Sequence, residues 1–159
     1  MKHFTHRTLV RAPLEQVAEF HRTTAALRQL TPPPVWVQLH SLEPLAEGSR
    51  AEFTLWMGPL PVRWLALHHQ VDPLHGFTDI QQRGPYRSWS HRHSFRAVDD
   101  CTSEVLDEVS AEPGDHPLWG LVSRLMWLSL PLLFAYRGWA TRRAVEGRAR
   151  RSGAGCAAG

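Results

Sequence analysis

The alternation of apolar and polar residues is clearest between Phe77 and Phe95. Two runs with a period of two flank the dipeptide Gly84-Pro85, and this arrangement predicts a β-hairpin. One face of the second run combines aromatic rings with imidazoles: Trp89, His91, His93 and Phe95. A dry core does not need imidazoles, so this face is typical of the wall of a pocket that holds a small molecule.

The same period of two predicts five further strands, and spacings of three and four predict helices. The strands are expected at residues 4–11, 35–40, 51–57, 62–71 and 102–111. A short helix should begin near Pro13, and a second should cover residues 24–30 before the prolines at 32–34 stop it. A recurrence of apolar residues predicts one long helix from Pro117 to about Arg148, marked by Leu118, Leu121, Val122, Leu125, Leu128 and Leu132.

The predicted order is one strand, two short helices, six strands and a long helix. Strands joined by short turns form an antiparallel sheet, and a single apolar helix must bury its stripe against that sheet. We therefore predict an α+β fold in which a curved seven-stranded sheet wraps around the last helix. Residues 1–148 are expected to form one domain, with a flexible tail over residues 149–159. A space between sheet and helix is the predicted binding site.

Composition narrows the class of protein. The chain has 159 residues, of which 43% are hydrophobic, as expected for one globular domain with a real core. The net charge is only +3, and the arginines are scattered before residue 142, so no nucleic-acid partner is expected. The N-terminus lacks the apolar core of a signal peptide, which favours a cytoplasmic location. Nothing predicts the oligomeric state.

The apolar segment 118–134 has two interpretations. Its length is at the lower limit for a membrane span, but Arg124 and Pro131 interrupt it, and a charge in lipid is costly. A helix of a soluble domain is the preferred interpretation. Peripheral membrane contact through Trp119, Trp127 and the C-terminal arginines stays open.

The candidate reactive side chains lie on the last two predicted strands. By alternation, Val105, Asp107 and Val109 share one face of the last strand, and that face should adjoin His91 and His93. A carboxylate there could orient an imidazole and raise its pKa. The arrangement allows three interpretations: a buried network that only satisfies itself, a group that orients a ligand, or an acid/base pair.

The facing of Asp79 and Gln81 depends on the hairpin turn. A two-residue turn at Gly84-Pro85 would place both side chains opposite to Trp89. A bulge would bring them to the same face. We expect the same face, because the other arrangement leaves Phe77 in water.

A metal site is a further alternative. Two imidazoles two residues apart on a strand point the same way and could bind zinc, with Asp107 or His68 as third ligand. No spacing signature supports this, so neither a metal nor another cofactor is expected.

Apolar side chains should complete the pocket. Phe53, Leu55 and Trp64 are expected to line it from neighbouring strands, and Leu121, Leu125 and Leu128 from the helix. The predicted binding set also contains the polar and aromatic residues of the last strands, namely Asp79, Gln81, Trp89, His91, His93, Phe95, Asp107 and Val109.

The chain resembles a known superfamily over roughly residues 3–145. The resemblance is carried mainly by the hairpin Phe77-x-Asp79-x-Gln81-x-x-Gly84-Pro85-Tyr86-x-x-Trp89-x-His91-x-His93-x-Phe95. Weaker matches are Val10-Arg11-Ala12-Pro13, Phe20-His21, Leu30-Thr31-Pro32-Pro33, Asp107-x-Val109 and Phe134-x-Tyr136-Arg137.

These residues resemble the START and polyketide-cyclase (SRPBCC) superfamily, and more narrowly its bacterial ligand-binding domain proteins. The resemblance implies a helix-grip fold with a deep apolar cavity for a lipid, polyketide or similar molecule. It implies no particular reaction, because a fold does not fix a function. Binding of a small hydrophobic molecule is the expected function. The alternatives are a cyclase or dehydratase that uses His91 or His93 as acid/base, and a membrane-surface lipid-binding module.

Overall fold

A seven-stranded antiparallel sheet and three helices make up the fold in the computed structural model. The structure describes residues 1–151, apart from the side chains of residue 24 and residues 149–151. The strands are β1 (Lys2–Val10), β2 (Trp36–Leu42), β3 (Arg50–Met57), β4 (Leu60–Asp72), β5 (Gly76–Arg83), β6 (Tyr86–Asp99) and β7 (Thr102–Pro113). The helices are α1 (Leu14–His21), α2 (Thr24–Gln29) and α3 (Pro117–Arg151). The helix α3 thus passes the predicted boundary at residue 148, and residues 152–159 of the predicted tail lie outside the described residues.

The strand order is β1-β7-β6-β5-β4-β3-β2. Consecutive strands from β2 to β7 are antiparallel neighbours, as the short predicted turns require. The strands β1 and β2 lie at opposite edges, so α1 and α2 carry the chain across the sheet. This arrangement confirms the predicted α+β helix-grip fold.

Helix α2 begins at a polar cap. The Thr23 Oγ1 accepts a hydrogen bond from the backbone N–H of Ala26 at 3.2 Å, which satisfies one of the free donors at the helix start. Because the helix has only six residues, this cap is a large part of its local stabilisation.

Replacing Thr23 by alanine should therefore lower the free energy of unfolding by about 1 kcal/mol. Urea unfolding followed by circular dichroism would measure this loss. Thr23→Ser keeps the hydroxyl and should retain most of the stability. A serine variant as unstable as the alanine variant would show that the hydroxyl is not responsible.

Only one face of α3 packs against the rest of the domain. Its buried side chains include Val122, Ser123, Leu130, Phe134 and Val145. Gly138 also lies on this face, where an added Cβ would come within 2.6 Å of Thr8 Oγ1. Glycine at this position therefore lets α3 approach β1 closely.

The predicted facing of the helix leucines is wrong. Leu121, Leu125 and Leu128 are 56%, 54% and 72% exposed, and they point away from the sheet. Helix α3 has two apolar faces, and the face with the more regular leucine spacing is the outer one. By length and composition, Pro117–Arg148 would suffice to cross a membrane, although 28% of its most apolar window is buried in the domain.

Candidate functional site

Four neighbouring strands bring five ionisable side chains to the inner face of the sheet. In the strand register, His68 of β4 lies opposite Asp79 of β5, and Asp79 lies opposite His91 of β6. His93 of β6 in turn lies opposite Asp107 of β7. Residues directly opposite one another in a sheet point to the same side. We call these five residues the His–Asp cluster.

Imidazoles and carboxylates alternate along this cluster. His91 Nε2 and His93 Nδ1 both lie 2.9 Å from Asp107 Oδ1. His93 Nε2 lies 3.4 Å from Asp79 Oδ2, and His68 Nε2 lies 3.2 Å from Asp79 Oδ1. The result is a continuous row of close polar contacts across four strands.

The His–Asp cluster is largely shielded from water. All its members are buried except Asp79, whose side chain is 25% exposed. The rings of His91 and His93 are only 3.8 Å apart between centroids, and Phe134 of α3 covers His91 edge-on at 5.2 Å. Buried charges are costly unless they are paired, so each imidazolium here depends on its carboxylates.

The surroundings of His91 and His93 shift their pKa values in opposite directions. Burial alone would lower the pKa of His93, but its contacts with Asp107 and Asp79 outweigh burial and raise that pKa to about 9. Burial, together with repulsion from His93, lowers the pKa of His91 to about 4 despite its bond to Asp107. At neutral pH, His93 is therefore the cation and His91 is neutral.

The carboxylates are ionised for the complementary reason. Burial would raise the pKa of Asp107, but the hydrogen bond with His91 and the ion pair with His93 hold it well below its usual range. The same balance, with His93 as the main partner, lowers the pKa of Asp79. A cation between two carboxylates is the electrostatic centre of the site.

Two residues from the helices approach this centre. The His21 Nδ1 lies 2.9 Å from the Val17 carbonyl oxygen, and burial lowers the His21 pKa to about 4. Arg137 of α3 donates from Nε to the Leu30 carbonyl oxygen at 3.3 Å. Asp107 attracts the Arg137 guanidinium and so opposes the effect of burial, which lowers the Arg137 pKa.

A small cavity lies where these helices meet the His–Asp cluster. Its volume is about 10 Å³, which is room for about one water molecule. The deep apolar cavity implied by the resemblance is therefore closed at this position. The lining consists of Thr8, His21, Leu30, His93, Val105, Asp107, Arg137, Gly138 and Thr141.

An aromatic cluster adjoins the His–Asp cluster on the same face of the sheet. It consists of Phe53, Trp64, Tyr86 and Trp89. Phe53 stacks on Trp64 at 6.2 Å, and Trp89 contacts Trp64 edge-on at 5.5 Å. The ring of Trp89 also meets His91 at 6.4 Å, which joins the two clusters.

Tyr86 gives this apolar region a polar atom. Its hydroxyl is buried and has no hydrogen-bond partner among the described residues. Burial raises its pKa, so the hydroxyl keeps its proton. A buried hydroxyl without a partner is unusual and costs free energy, which makes it a natural contact for a ligand oxygen.

A larger open groove of about 420 Å³ lies elsewhere on the molecule, over β2, β3 and β4. None of the His–Asp cluster lines it. Its walls are Gln38, His40, Glu52, Phe53, Thr54, Trp56, Pro61 and Arg63.

Most of the predicted site residues share the inner face of the sheet. His91, His93, Phe95, Asp107 and Val109 are buried there. Trp89 is part of the aromatic cluster, as are Phe53 and Trp64, and Leu55 packs beside them. Leu121, Leu125 and Leu128 are the exceptions, because they lie on the outer face of α3.

The hairpin has the bulged geometry expected from the position of Phe77. The pairing of Phe77 with His93 and of Asp79 with His91 leaves one residue more in the connection than a two-residue turn. Asp79 therefore faces inward. Gln81 shares its face, but its amide is engaged in the turn, where Nε2 donates to the Tyr86 carbonyl oxygen at 2.8 Å.

Sequence reasoning did not assign roles to His21, Tyr86 and Arg137. The available signal was weak: His21 and Tyr86 stand among polar and turn residues, and Arg137 is one of several arginines near the end of the long helix. His21 and Arg137 reach the His–Asp cluster from helices, so strand alternation contains no information about them.

The residue types in the His–Asp cluster also suit a metal. Ligand atoms of Asp79, His91 and His93 lie within 4.8 Å of one another. Imidazole and carboxylate are ligands that zinc accepts. Each of the two histidines already contacts a carboxylate in this structure, so a metal would have to displace those contacts.

Comparisons with known proteins identify the fold. No family model and no curated protein matches the sequence. Among solved structures, the ZhuI aromatase/cyclase from Streptomyces sp. R1128 is similar with a TM-score of 0.65 and 16% identity, over 90% of this chain and 95% of that one.

Two further solved structures give comparable results. Norcoclaurine synthase from Thalictrum flavum, in complex with dopamine and hydroxybenzaldehyde, has a TM-score of 0.68 and 14% identity over 91% of this chain and 86% of that one. For Ara h 8.0201 the TM-score is 0.60 and the identity 14%, over 87% of this chain and 97% of that one. With its sheet order, its long C-terminal helix and these neighbours, the chain has the helix-grip fold.

Proposed function

We propose that this protein binds a small molecule with an apolar body and a polar group, between the sheet and α3. The aromatic cluster would hold the body, while His93, Asp107 and Arg137 would contact the polar group. The observation that carries the proposal is the buried cation of His93 beside a cavity, with the neighbouring His91 in contact with the aromatic cluster. A domain rarely buries such charges for stability alone, because apolar replacements are often as stable.

The structural neighbours are consistent with this class of ligand. Norcoclaurine synthase was solved with two aromatic molecules, and ZhuI is an aromatase/cyclase. The cavity of about 10 Å³ is too small for such molecules, so binding here requires α3 to move away from the sheet. A cytoplasmic location remains a prediction.

A matched pair of fluorescent probes tests the proposal. 1-Anilinonaphthalene-8-sulfonate has an aromatic body and an anionic group, whereas N-phenyl-1-naphthylamine lacks the sulfonate. Both should bind saturably, and Arg137→Gln should weaken the sulfonate probe about tenfold while leaving the neutral probe nearly unchanged. Exposed Arg124 offers the control, since Arg124→Gln should alter neither affinity.

The circular dichroism melting curve of each variant establishes that it is folded. Equal weakening of both probes by Arg137→Gln, or no saturable binding of either probe, would contradict the proposal. Native mass spectrometry of the purified protein would also identify a molecule that remains bound.

A second candidate function is acid/base catalysis of the cyclase or dehydratase type. It is favoured by one observation: His91 and His93 share Asp107, yet their pKa values are driven to about 4 and about 9. Two groups separated in this way can act as base and acid at the same pH. His91 would accept a proton from carbon, while His93 would donate one to a developing oxyanion.

Exchange of the α-protons of 1-tetralone in D₂O, followed by NMR, tests this chemistry without knowledge of the natural substrate. The rate should fall below about pH 4 and above about pH 9. His91→Gln and His93→Gln should each reduce it at least 100-fold, a typical effect of losing a general acid or base. His69→Gln, a change at an exposed imidazole on β4, is the control. Exchange no faster than in buffer would exclude this activity for the probe.

A further inference from the structure

The outer face of α3 carries a regular apolar stripe that the proposed ligand site does not use. We call it the outer stripe: Leu118, Leu121, Leu125, Leu128, Leu132, Ala135 and Trp139. Its leucines and its tryptophan are each about half exposed or more. Over 21 residues of helix the stripe is about 32 Å long. Monomeric proteins seldom expose an apolar surface so extended.

The spacing of the outer stripe indicates what covers it. Its members follow one another at intervals of three, four, three, four, three and four residues. This is the heptad spacing by which one helix inserts side chains between those of another. The stripe is two positions wide, with Arg124, Ser129 and Arg143 exposed at its edges. A narrow seam fits a partner helix better than the broad face of a lipid surface.

We propose that the outer stripe pairs with the outer stripe of a second copy of this chain, with the two helices antiparallel. In an antiparallel pair, each layer of the seam joins one residue of one helix to a different residue of the other. At the centre, Leu128 of each copy then lies beside Leu132 of the other. Leu125 lies beside Ala135, and Leu121 beside Trp139, so that large side chains meet small or flat ones. Pro131 lies inside the helix next to this centre.

Charge selects the antiparallel arrangement. Residues 116–145 contain no acidic side chain, and Arg124, Arg142 and Arg143 are exposed. A parallel pair would place each arginine against its own copy. The antiparallel pair instead brings Arg142 and Arg143 of one chain near Asp115 of the other, a carboxylate that is 80% exposed and lies 3.6 Å from Arg87 of its own chain. It also sets the two helix dipoles head to tail.

Sedimentation velocity of the 159-residue chain tests the pairing. From low micromolar to sub-millimolar concentration, the mass should rise from that of one chain to that of two. Leu128→Glu should weaken the dimer at least tenfold without lowering the melting temperature. Val98→Glu changes an apolar residue outside the stripe that is also more than half exposed, and it should have no effect. A chain that stays monomeric throughout, or equal weakening by both variants, would overturn the proposal.

Charge reversal tests the orientation independently of the apolar contacts. Asp115→Arg and Arg142→Glu should each weaken the dimer several-fold, and the double variant should recover most of the loss. No recovery would exclude the antiparallel pairing. Flotation with phosphatidylcholine–phosphatidylglycerol vesicles provides the competing outcome: a monomer that floats would show that lipid covers the stripe, and the proposal would fail.

Discussion

Replacing Asp107 by alanine should lower the free energy of unfolding by about 3–5 kcal/mol at neutral pH, the usual cost of removing one partner of a buried ion pair. Asp107 is the carboxylate that both His91 and His93 contact at 2.9 Å, and it also attracts Arg137. Without it, His93 must either remain a poorly compensated buried cation or give up its proton. Chemical denaturation with urea, followed by tryptophan fluorescence, would measure the loss.

The pH dependence of this loss separates electrostatics from packing. Above about pH 9 the wild-type His93 is itself neutral, so Asp107→Ala should cost less there than at pH 7. Asp115→Ala removes an exposed carboxylate and should change stability by less than about 1 kcal/mol. A deficit that stays constant up to pH 10 would mean that Asp107 acts through shape alone.

The wild-type protein should be most stable between about pH 6.5 and pH 7, and less stable on both sides. On the alkaline side the responsible group is His93, whose folded pKa of about 9 lies above its ordinary value of 6.5. Its contribution is complete below pH 6.5 and is lost as the pH rises through 9. The loss amounts to roughly 3 kcal/mol at about 1.4 kcal/mol per unit of pKa.

On the acidic side, His91 and His21 dominate. Both have a folded pKa of about 4, well below the ordinary value of 6.5. Between pH 6.5 and 4 these two imidazoles therefore bind protons in the unfolded chain but not in the folded one. The free energy of unfolding should fall there by up to about 1.4 kcal/mol per pH unit for each group. Summed over both groups and the whole interval, this loss approaches the total stability of a typical domain. Asp79 and Asp107, with lowered pKa values, contribute stability that is lost below pH 4.

Urea midpoints between pH 4 and pH 10 would give this profile. His93→Gln should flatten its alkaline limb and His21→Gln should reduce the slope of its acidic limb. His116→Gln should leave both unchanged, since His116 is exposed. Stability that increases from pH 7 to pH 10 would contradict the assigned charge on His93.

Strand alternation predicted more of the site than helix periodicity did. A strand has only two faces, so one apolar residue fixes the side of its neighbours; Phe77 correctly indicated where Asp79 points. Helix α3 offers two apolar faces. Its leucine spacing marked the outer one, whereas the packed face includes Ser123, Gly138 and Arg137. Which face packs depends on the shape of the sheet, and sequence periodicity does not contain that shape.

The contacts between elements that are distant in the chain could not be predicted from the sequence either. His21 and Arg137 reach His93 only because α1 and α3 cross the same part of the sheet. The approach of α3 to β1 at Gly138, which leaves a cavity of water size, is likewise a property of the assembled fold.

The row of alternating imidazoles and carboxylates has a consequence for folding as well. If β6 shifted against β7 by one residue, Arg92 and Ser94 would turn inward, and His91 and His93 would turn to solvent. Asp107 would lose both imidazoles, Phe95 would turn to solvent with them, and the Arg92 guanidinium would be buried beneath Phe134 at a cost of several kcal/mol. The His–Asp cluster therefore discriminates against misaligned sheets during folding, whether or not a ligand is present.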